Sequence, residues 1–242
     1  IAQACDETLP SENNELLKHE IDKGSTVYNV RLDSASMDGV DVKDAEQPGD
    51  TGVSITTLED MAHLLDGLDL KTYPFMMYCG PSAVRMIALA AAALKAKGKD
   101  TSELHGVIGA NPLAQLAKNG TLIKPLSACY DDMAESIRWA RKNAPHLRTI
   151  MARSEVFSRG GANAVQEVEY IREMEKRGIS IHDIAQSINF GFNVGNVFFI
   201  EIAKLRAARE VWANIMKAFG AEEADRSCRI HSRPAYFYRT IF

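Results

Sequence analysis

Apolar and polar positions along the chain follow two different periods. Short runs alternate apolar and polar side chains or are apolar throughout, as in strands, while longer runs carry apolar residues at spacings of three and four, as in helices. The runs predicted as strands are residues 25–32, 74–79, 104–109, 147–153, 187–192 and 227–231. Residues 52–55 are also strand-like, and we place them in a connecting segment.

Start and stop signals flank the longer runs. Hydroxyl and amide residues suit the first position of a helix, proline its first turn and glycine its end. Helices are predicted after Thr56 or Thr57, from Pro81 to Lys97, from Asn111 to Gly120, over residues 131–144, up to Gly178 and over residues 197–220. Residues 33–50 are rich in Asp and Gly, which predicts a solvated loop.

Strands that alternate with helices over most of the chain indicate an α/β protein with a parallel sheet. Either a (β/α) barrel or a doubly wound sheet satisfies this pattern. Periodicity alone does not choose between them.

Composition narrows the class of protein. The 242 residues carry a net charge of −4, which provides no basic field for nucleic acid, and we expect no nucleic-acid partner. The longest apolar run, Met86 to Leu94, is much shorter than the roughly 20 residues that span a bilayer, so no membrane partner is expected. The four cysteines lie far apart, with no zinc or disulfide spacing, and predict reduced thiols in a cytoplasmic compartment.

Four stretches in this order resemble one family: "TSELHGVIGANPLAQLAKNGT", "GGANAVQEVEY", "SINFGFNVGNVFFIEIAKLRAAREVWANI" and "CRIHS". Together they are similar to the substrate-binding barrel of the methylmalonyl-CoA mutase family, the adenosylcobalamin-dependent acyl-CoA mutases. The segment "FFIEIAKLRAAREVW" is the most specific of these. The similarity runs, with weaker matches, from about Asn14 to Ser232.

The resemblance implies a TIM-type (β/α)8 barrel that threads coenzyme A through its centre. Only six of its strands can be counted, so residues 1–242 are expected to form one incomplete barrel without the first and eighth strands. The family's separate cobalamin domain carries an Asp-x-His-x-x-Gly segment, which this sequence lacks. Adenosylcobalamin is therefore expected at the level of a family complex, and none bound by this chain alone.

The resemblance also implies that polar site positions are replaced. Val156 stands where a His reaches the substrate thioester, Gly109 where a Gln contacts the substrate, and Asn119 where an Arg pairs with its carboxylate. Valine can neither donate a hydrogen bond nor transfer a proton.

Positions that would contact coenzyme A are altered in the same way. Phe75 and Met77 stand where the family has small hydroxyl residues, and Ser187 and Asn189 where it has an Arg and a Ser. His231 falls on a matching polar position, although the Gln expected two residues later is Arg233.

Lost polar contacts on an intact scaffold favour a catalytically degenerate small subunit that supports a homologous large mutase subunit in a heterodimer. One alternative is an active acyl-CoA mutase barrel with altered substrate choice and cobalamin supplied in trans. A second is an unrelated (β/α) enzyme that binds a phosphorylated metabolite at the Gly160-Gly161 turn.

No catalytic residue and no metal ligand is assigned to this chain, and three side chains remain candidates for binding acyl-CoA. His231 could contact the substrate, Arg159 could hold a phosphate through its planar guanidinium, and Tyr78 could lie along the acyl chain. Each has an ordinary alternative: a structural histidine, a solvated loop arginine and a core tyrosine. Cys79 and Cys129 are interpreted as small buried apolar residues.

Overall fold

The fold was analysed on a computed structural model that describes residues 1–153 and 165–234. Its strands, numbered in chain order, are β1 (Ala4–Cys5), β2 (Tyr28–Val30), β3 (Phe75–Tyr78), β4 (Gly106–Ala110), β5 (Leu147–Arg153), β6 (Ile188–Val194) and β7 (Ile230–Pro234). Each strand pairs in parallel with the next one along the chain. The sheet curls into a half-barrel, which confirms the incomplete (β/α) barrel.

The sheet contains one strand more than the six predicted. β1 pairs with β2 through Ala4–Asn29 and Cys5–Val30, so the prediction that no strand precedes residues 25–32 is wrong. A strand of two residues is too short to show a period of two, and only the complete burial of Cys5 marks it as part of the core.

The helices pack on one side of the sheet. They are α1 (Pro10–Asp22), α2 (Ser34–Asp38), α3 (Leu58–Leu64), α4 (Val84–Ala96), α5 (Pro112–Asn119), α6 (Leu126–Asn143), α7 (Val165–Lys176), α8 (Ile181–Ser187) and α9 (Phe198–Ala218). Short 3-10 turns lie at Val42–Asp44, Thr101–Glu103 and Glu223–Asp225.

The predicted caps of α3 and α5 are confirmed. Thr57 accepts a hydrogen bond from the Asp60 amide while Asp60 accepts from the Thr57 amide, which satisfies two N–H groups that the helix leaves unpaired. Asn111 caps α5 through the Ala114 amide, and Gly120 ends that helix with a positive φ of 74°.

Three predicted boundaries need correction. α6 starts at Leu126 and not at Asp131, because Pro125 fixes the preceding backbone as extended. α8 was not predicted at all, although Ser180 caps it through the Asp183 amide. β7 starts three residues later than predicted and extends to Pro234.

Residues 33–50 are less exposed than their composition predicts. The Asp33 side chain is completely buried, accepts a hydrogen bond from the Ser36 amide at 2.7 Å, and thereby caps α2. It also accepts one from the Gly49 amide at 2.8 Å, which ties the far end of the loop to the helix. Residues 52–55 lie in a connecting segment, as predicted, and Val53 bridges Leu32 there.

Alternation along the strands separates two faces of the sheet. One face, which we call the outer face, packs Phe75, Met77, Ile150 and Phe190 against the helices in the main core. The opposite face, which we call the inner face, has a smaller apolar cluster of Met76, Val107 and Met151, with Ala2, Val27 and Tyr78 against it.

α9 forms where its period predicts, but only part of its apolar surface is covered. Trp212 and Met216, in the second half, are buried, and the Trp212 ring meets Phe190 edge-on at 4.8 Å. At the start of the helix Phe198, Phe199 and Ile200 are 70%, 81% and 62% exposed.

Cys79 and Cys129 are buried, which confirms their interpretation as core residues. Burial raises the pKa of both thiols, and it raises the pKa of Cys5 to about 12, so these sulfurs stay protonated at neutral pH. Among the described residues, no helix has the length and apolarity needed to cross a membrane. The predicted cytoplasmic location stays a prediction.

Candidate active site of the half-barrel

The carboxyl ends of the strands bring a row of side chains together on the inner face. Tyr78 on β3 lies in register with Gly109 on β4, and Arg153 on β5 lies in register with Gly191 on β6, which in turn pairs with His231 on β7. Residues in register on parallel strands point to the same face. Within this row Tyr78 neighbours Gly109 and Gly191 lies between Arg153 and His231, while Met151 on β5 lies against Gly109. Side chains fill the interiors of small barrels in this way.

Arg153 links the row across the sheet. Its guanidinium carbon lies 4.6 Å from the centre of the Tyr78 ring, within the range of a cation–π contact. The base of the same side chain lies beside Gly191, where an added Cβ would be only 2.9 Å from the Arg153 Cγ. Tyr78 thus has a charged neighbour on the inner face, and its half-buried ring packs against both the inner-face cluster and the main core.

His231 lies at the other end of the row, half-buried. Burial lowers its pKa below the ordinary value of 6.5, and the positive charges of Arg153 and Arg233 lower it further. The imidazole is therefore neutral at pH 7, with one nitrogen able to donate and the other able to accept a hydrogen bond.

Gly109 has no room for a side chain. A Cβ at this position would lie 2.4 Å from the Met151 Cβ and 2.8 Å from the Met151 backbone nitrogen. A backbone atom cannot rotate away as a side chain can. The strand pairing also shifts between Val107 and Ala110, which brings β5 close to this glycine.

The comparison with known families decides the relationship of this chain. Residues 1–241 match the family model described as methylmalonyl-CoA mutase. The chain therefore belongs to the methylmalonyl-CoA mutase family. This excludes the alternative of an unrelated (β/α) enzyme.

The family relatives are much longer than this chain. It is 29% identical to methylmalonyl-CoA mutase of Escherichia coli over 92% of the chain and 33% of the relative. It is 29% identical to methylmalonyl-CoA mutase of Rhizobium meliloti over 88% and 31%, and 28% identical to the methylmalonyl-CoA mutase large subunit of Porphyromonas gingivalis over 96% and 34%. The chain thus spans about a third of the length of the curated relatives it matches.

Two of the predicted coenzyme-facing positions in this member of the family are wrong. Phe75 and Met77 are completely buried on the outer face, among the helices, and cannot line the inside of the barrel. Met76 and Tyr78 occupy the inner face of that strand instead. The whole run from Phe75 to Cys79 is apolar or aromatic, so its sequence showed no alternation from which the two faces could be told apart.

Ser187 is also misplaced in the prediction. It is the last residue of α8, completely buried, and its hydroxyl donates to the Asp183 carbonyl at 2.7 Å. Asn189 lies on β6, one register row before Gly191, and faces the inside of the half-barrel. Asn119 ends α5 in an exposed position, next to the exposed Lys118.

Three predicted positions lie outside the described residues: Val156, Arg159 and the Gly160-Gly161 turn. Their roles stay predictions. The sequence reasoning missed Arg153, although the strand run "LRTIMAR" contains the signal. Alternation from Met151 places Arg153 on the inner face at the carboxyl end of β5, where ligand-binding residues of (β/α) barrels lie.

Among the described residues, no group of three or more His, Cys, Asp or Glu could hold a metal ion. Whether cobalamin is bound by this chain stays a prediction. His105, in the segment "ELHGVIG", precedes β4 at the amino end of the sheet, and its Nδ1 lies 3.3 Å from the Glu103 carbonyl oxygen. It is therefore at the opposite end of the strands from the inner-face row.

Proposed function

We propose that this chain is a non-catalytic barrel of the methylmalonyl-CoA mutase family, which supports a homologous catalytic large subunit in a heterodimer. The observation that carries the proposal is the inner face. Met76, Val107 and Met151 form an apolar cluster there, and Gly109, at the position of a substrate-contacting Gln, is closed to any side chain. A Gln side chain at position 109 would have no place on this face.

In this proposal the cobalamin belongs to the partner. When bound, the cofactor supplies the radical chemistry of the family's isomerisation, and the protein around it excludes water and holds the thioester. This chain contributes packing and shape to the complex, and its own residues transfer no proton or hydrogen.

The start of α9 supports a partner on that side of the molecule. Val197, Phe198, Phe199 and Ile200 are all more than half exposed and consecutive in sequence. Contiguous exposed apolar side chains mark protein interfaces, and aromatic residues carry much of the binding free energy there. We therefore place the large subunit's contact at this segment, which we call the α9 start.

The experiment is a binding measurement with a purified large subunit of the family. Phe199→Ser should weaken the heterodimer at least about tenfold, since a central aromatic contact contributes about 2 kcal/mol or more. Ile123→Ser is the matched control, because Ile123 is an exposed apolar residue on a loop elsewhere and should leave binding unchanged. If Phe199→Ser instead lowers the thermal stability of the full chain alone, the segment is covered within the same protein and the proposed contact is wrong.

A spectroscopic titration with adenosylcobalamin distinguishes the proposed non-catalytic subunit from the remaining alternative, an active barrel. The chain alone should leave the absorption spectrum of the cofactor unchanged, and the large subunit should bind it with or without this chain. His231, on the inner face beside Arg153, favours the alternative of an active barrel with altered substrate choice and cobalamin in trans. That alternative predicts turnover that requires this chain's own His231.

A further inference from the structure

The side chain of Asp38 joins two helices that lie far apart in the sequence. Asp38 is the last residue of α2, and its Oδ1 accepts a hydrogen bond from the Gln115 Nε2 on α5 at 3.2 Å. α2 follows β2 and α5 follows β4, so the contact bridges the intervening β3 at the carboxyl ends of the strands. Gln115 is buried and Asp38 half-buried, which keeps the bond largely away from water.

Arg85 on α4 holds the backbone of α2 at the same point. Its guanidinium donates to the Met37 and Asp38 carbonyl oxygens at 3.3 and 3.4 Å, which satisfies two groups that the end of the helix leaves unpaired. Gly39, with a φ of 73°, leaves room for this guanidinium, since an added Cβ would lie 1.5 Å from the Arg85 Nη1. The backbone of α2 is therefore fixed to α4, and the Asp38 carboxyl group provides a separate bond to α5.

Burial and the neighbouring charges act on this carboxyl group in opposite directions. Burial has the largest effect and raises the pKa of Asp38, and the negative charge of Asp50 also raises it. The hydrogen bond from Gln115 and the positive charges of Lys118 and Arg85 lower the pKa, but by less. The folded chain therefore holds a proton on Asp38 more tightly than the unfolded chain does.

We propose that Asp38 forms a proton-sensitive contact between α2 and α5, which tightens when its carboxyl group takes up a proton and loosens when the group is charged. Protonation removes the cost of keeping a charge in a half-buried place, and the new hydroxyl can donate to the Gln115 amide oxygen. Because Arg85 retains the backbone of α2, the change affects its contact with α5 and requires no unfolding. The pH then determines how firmly the carboxyl end of the half-barrel is held, independently of any partner subunit.

NMR of the full chain tests the proposal without a substitution. The carboxyl carbon of Asp38 and the side-chain amide of Gln115 should shift together as the pH falls from about 7 to 4, with one shared midpoint above the ordinary carboxyl value. Gln115→Glu places a second carboxyl group beside the first. It should move the midpoint of Asp38 further upward, since two carboxylates so close cannot both ionise readily.

Asp38→Asn imitates the protonated group and cannot ionise. The stabilising effect of a proton held more tightly in the folded state is lost as the pH rises through the raised pKa of Asp38. In urea, Asp38→Asn should therefore unfold at the same or a higher concentration than the unchanged chain at about pH 7, with the gap closing towards pH 4. Asp44→Asn, the matched control, removes an exposed carboxylate from the same connecting segment and should show no such gap.

Three results would overturn the proposal. The first is a midpoint for the Asp38 carboxyl group at or below the ordinary carboxyl value. The second is a Gln115 amide signal that stays fixed while Asp38 titrates, because the two helices would then be joined independently of the proton. The third is an Asp38→Asn protein that is less stable than the unchanged chain at neutral pH, because the fold would then prefer the charged form.

Discussion

Two consecutive residues of β3 show how differently the two faces of this sheet are built. Met77 is completely buried on the outer face among the helices, whereas Tyr78 is half-buried on the inner face under the guanidinium of Arg153. The outer face follows the ordinary packing of a (β/α) protein, with apolar strand residues against apolar helix residues. The inner face mixes a small apolar cluster, two glycines and a group of cationic side chains.

The difference separates the requirements of folding from those of chemistry. Helix and strand residues on the outer face are constrained by close packing, because the loss of even one methylene there lowers the stability of the fold. Inner-face residues of a half-barrel have fewer neighbours and can change without loss of the fold. A family member can therefore lose its catalytic contacts and retain its scaffold, which is the pattern that we propose for this chain.

The largest effect is expected from a change to the outer face. Phe75→Ala should lower the free energy of unfolding by about 3–5 kcal/mol, because a completely buried ring leaves a cavity among helices that relax only partly. Tyr78→Ala, three residues along the same strand, should cost only about 1–2 kcal/mol, since it loses a cation–π contact and partial burial. Urea unfolding of both variants measures the difference, and equal losses would contradict the distinction between the faces.

A smaller and more specific effect is expected at the two glycines of the inner-face row. Gly109→Ala should destabilise by about 1–3 kcal/mol, because its Cβ meets Met151 backbone and Cβ atoms that cannot rotate away. Gly191→Ala meets only the Arg153 side chain, which can move, and should cost less than about 1 kcal/mol. A larger loss of stability for Gly191→Ala than for Gly109→Ala would contradict this prediction. It would mean that Met151 and β5 move aside more easily than the Arg153 side chain does.

The smallest effect is the pH dependence that His231 contributes. Its pKa is lower in the folded state than the ordinary 6.5, so below that pH the unfolded chain binds a proton that the folded chain resists. Stability should therefore fall as the pH drops from about 7 towards 5, and His231→Gln should flatten that slope. The urea midpoints of both proteins at pH 7 and pH 5 measure this slope. A steeper fall in the variant would contradict the predicted direction of the His231 contribution.

Much of the fold followed from the sequence, because helix signals and strand runs are local. The caps at Thr57 and Asn111 and all six predicted strands are confirmed. β1 was not predictable, since two residues show no period, and its place beside β2 depends on a contact across more than twenty residues. The length of α9 was predicted correctly, but periodicity cannot tell whether any partner covers the apolar start of a helix.

The candidate site was only partly predictable. His231 was chosen because it matches a polar position of the family, and Tyr78 because it could lie along an acyl chain. Both lie on the inner face, but Arg153, on the strand between theirs, was missed. The uniform apolar run that contains Phe75 and Met77 hid which side chains point inward. The closure of Gly109 depends on the distance between β4 and β5 and could not be read from either strand alone.

Turnover is the most direct test of the central claim that this inner face does not perform the family's reaction. The chain is supplied with a family cobalamin domain and adenosylcobalamin and assayed for interconversion of methylmalonyl-CoA and succinyl-CoA, beside a Val156→His variant. We predict no turnover above background from either protein, because several contacts that act as a unit are missing and restoring one recovers almost nothing. Turnover by the unmodified chain at about 1–1000 per second, the usual range for enzymes, would contradict the claim and favour an active barrel.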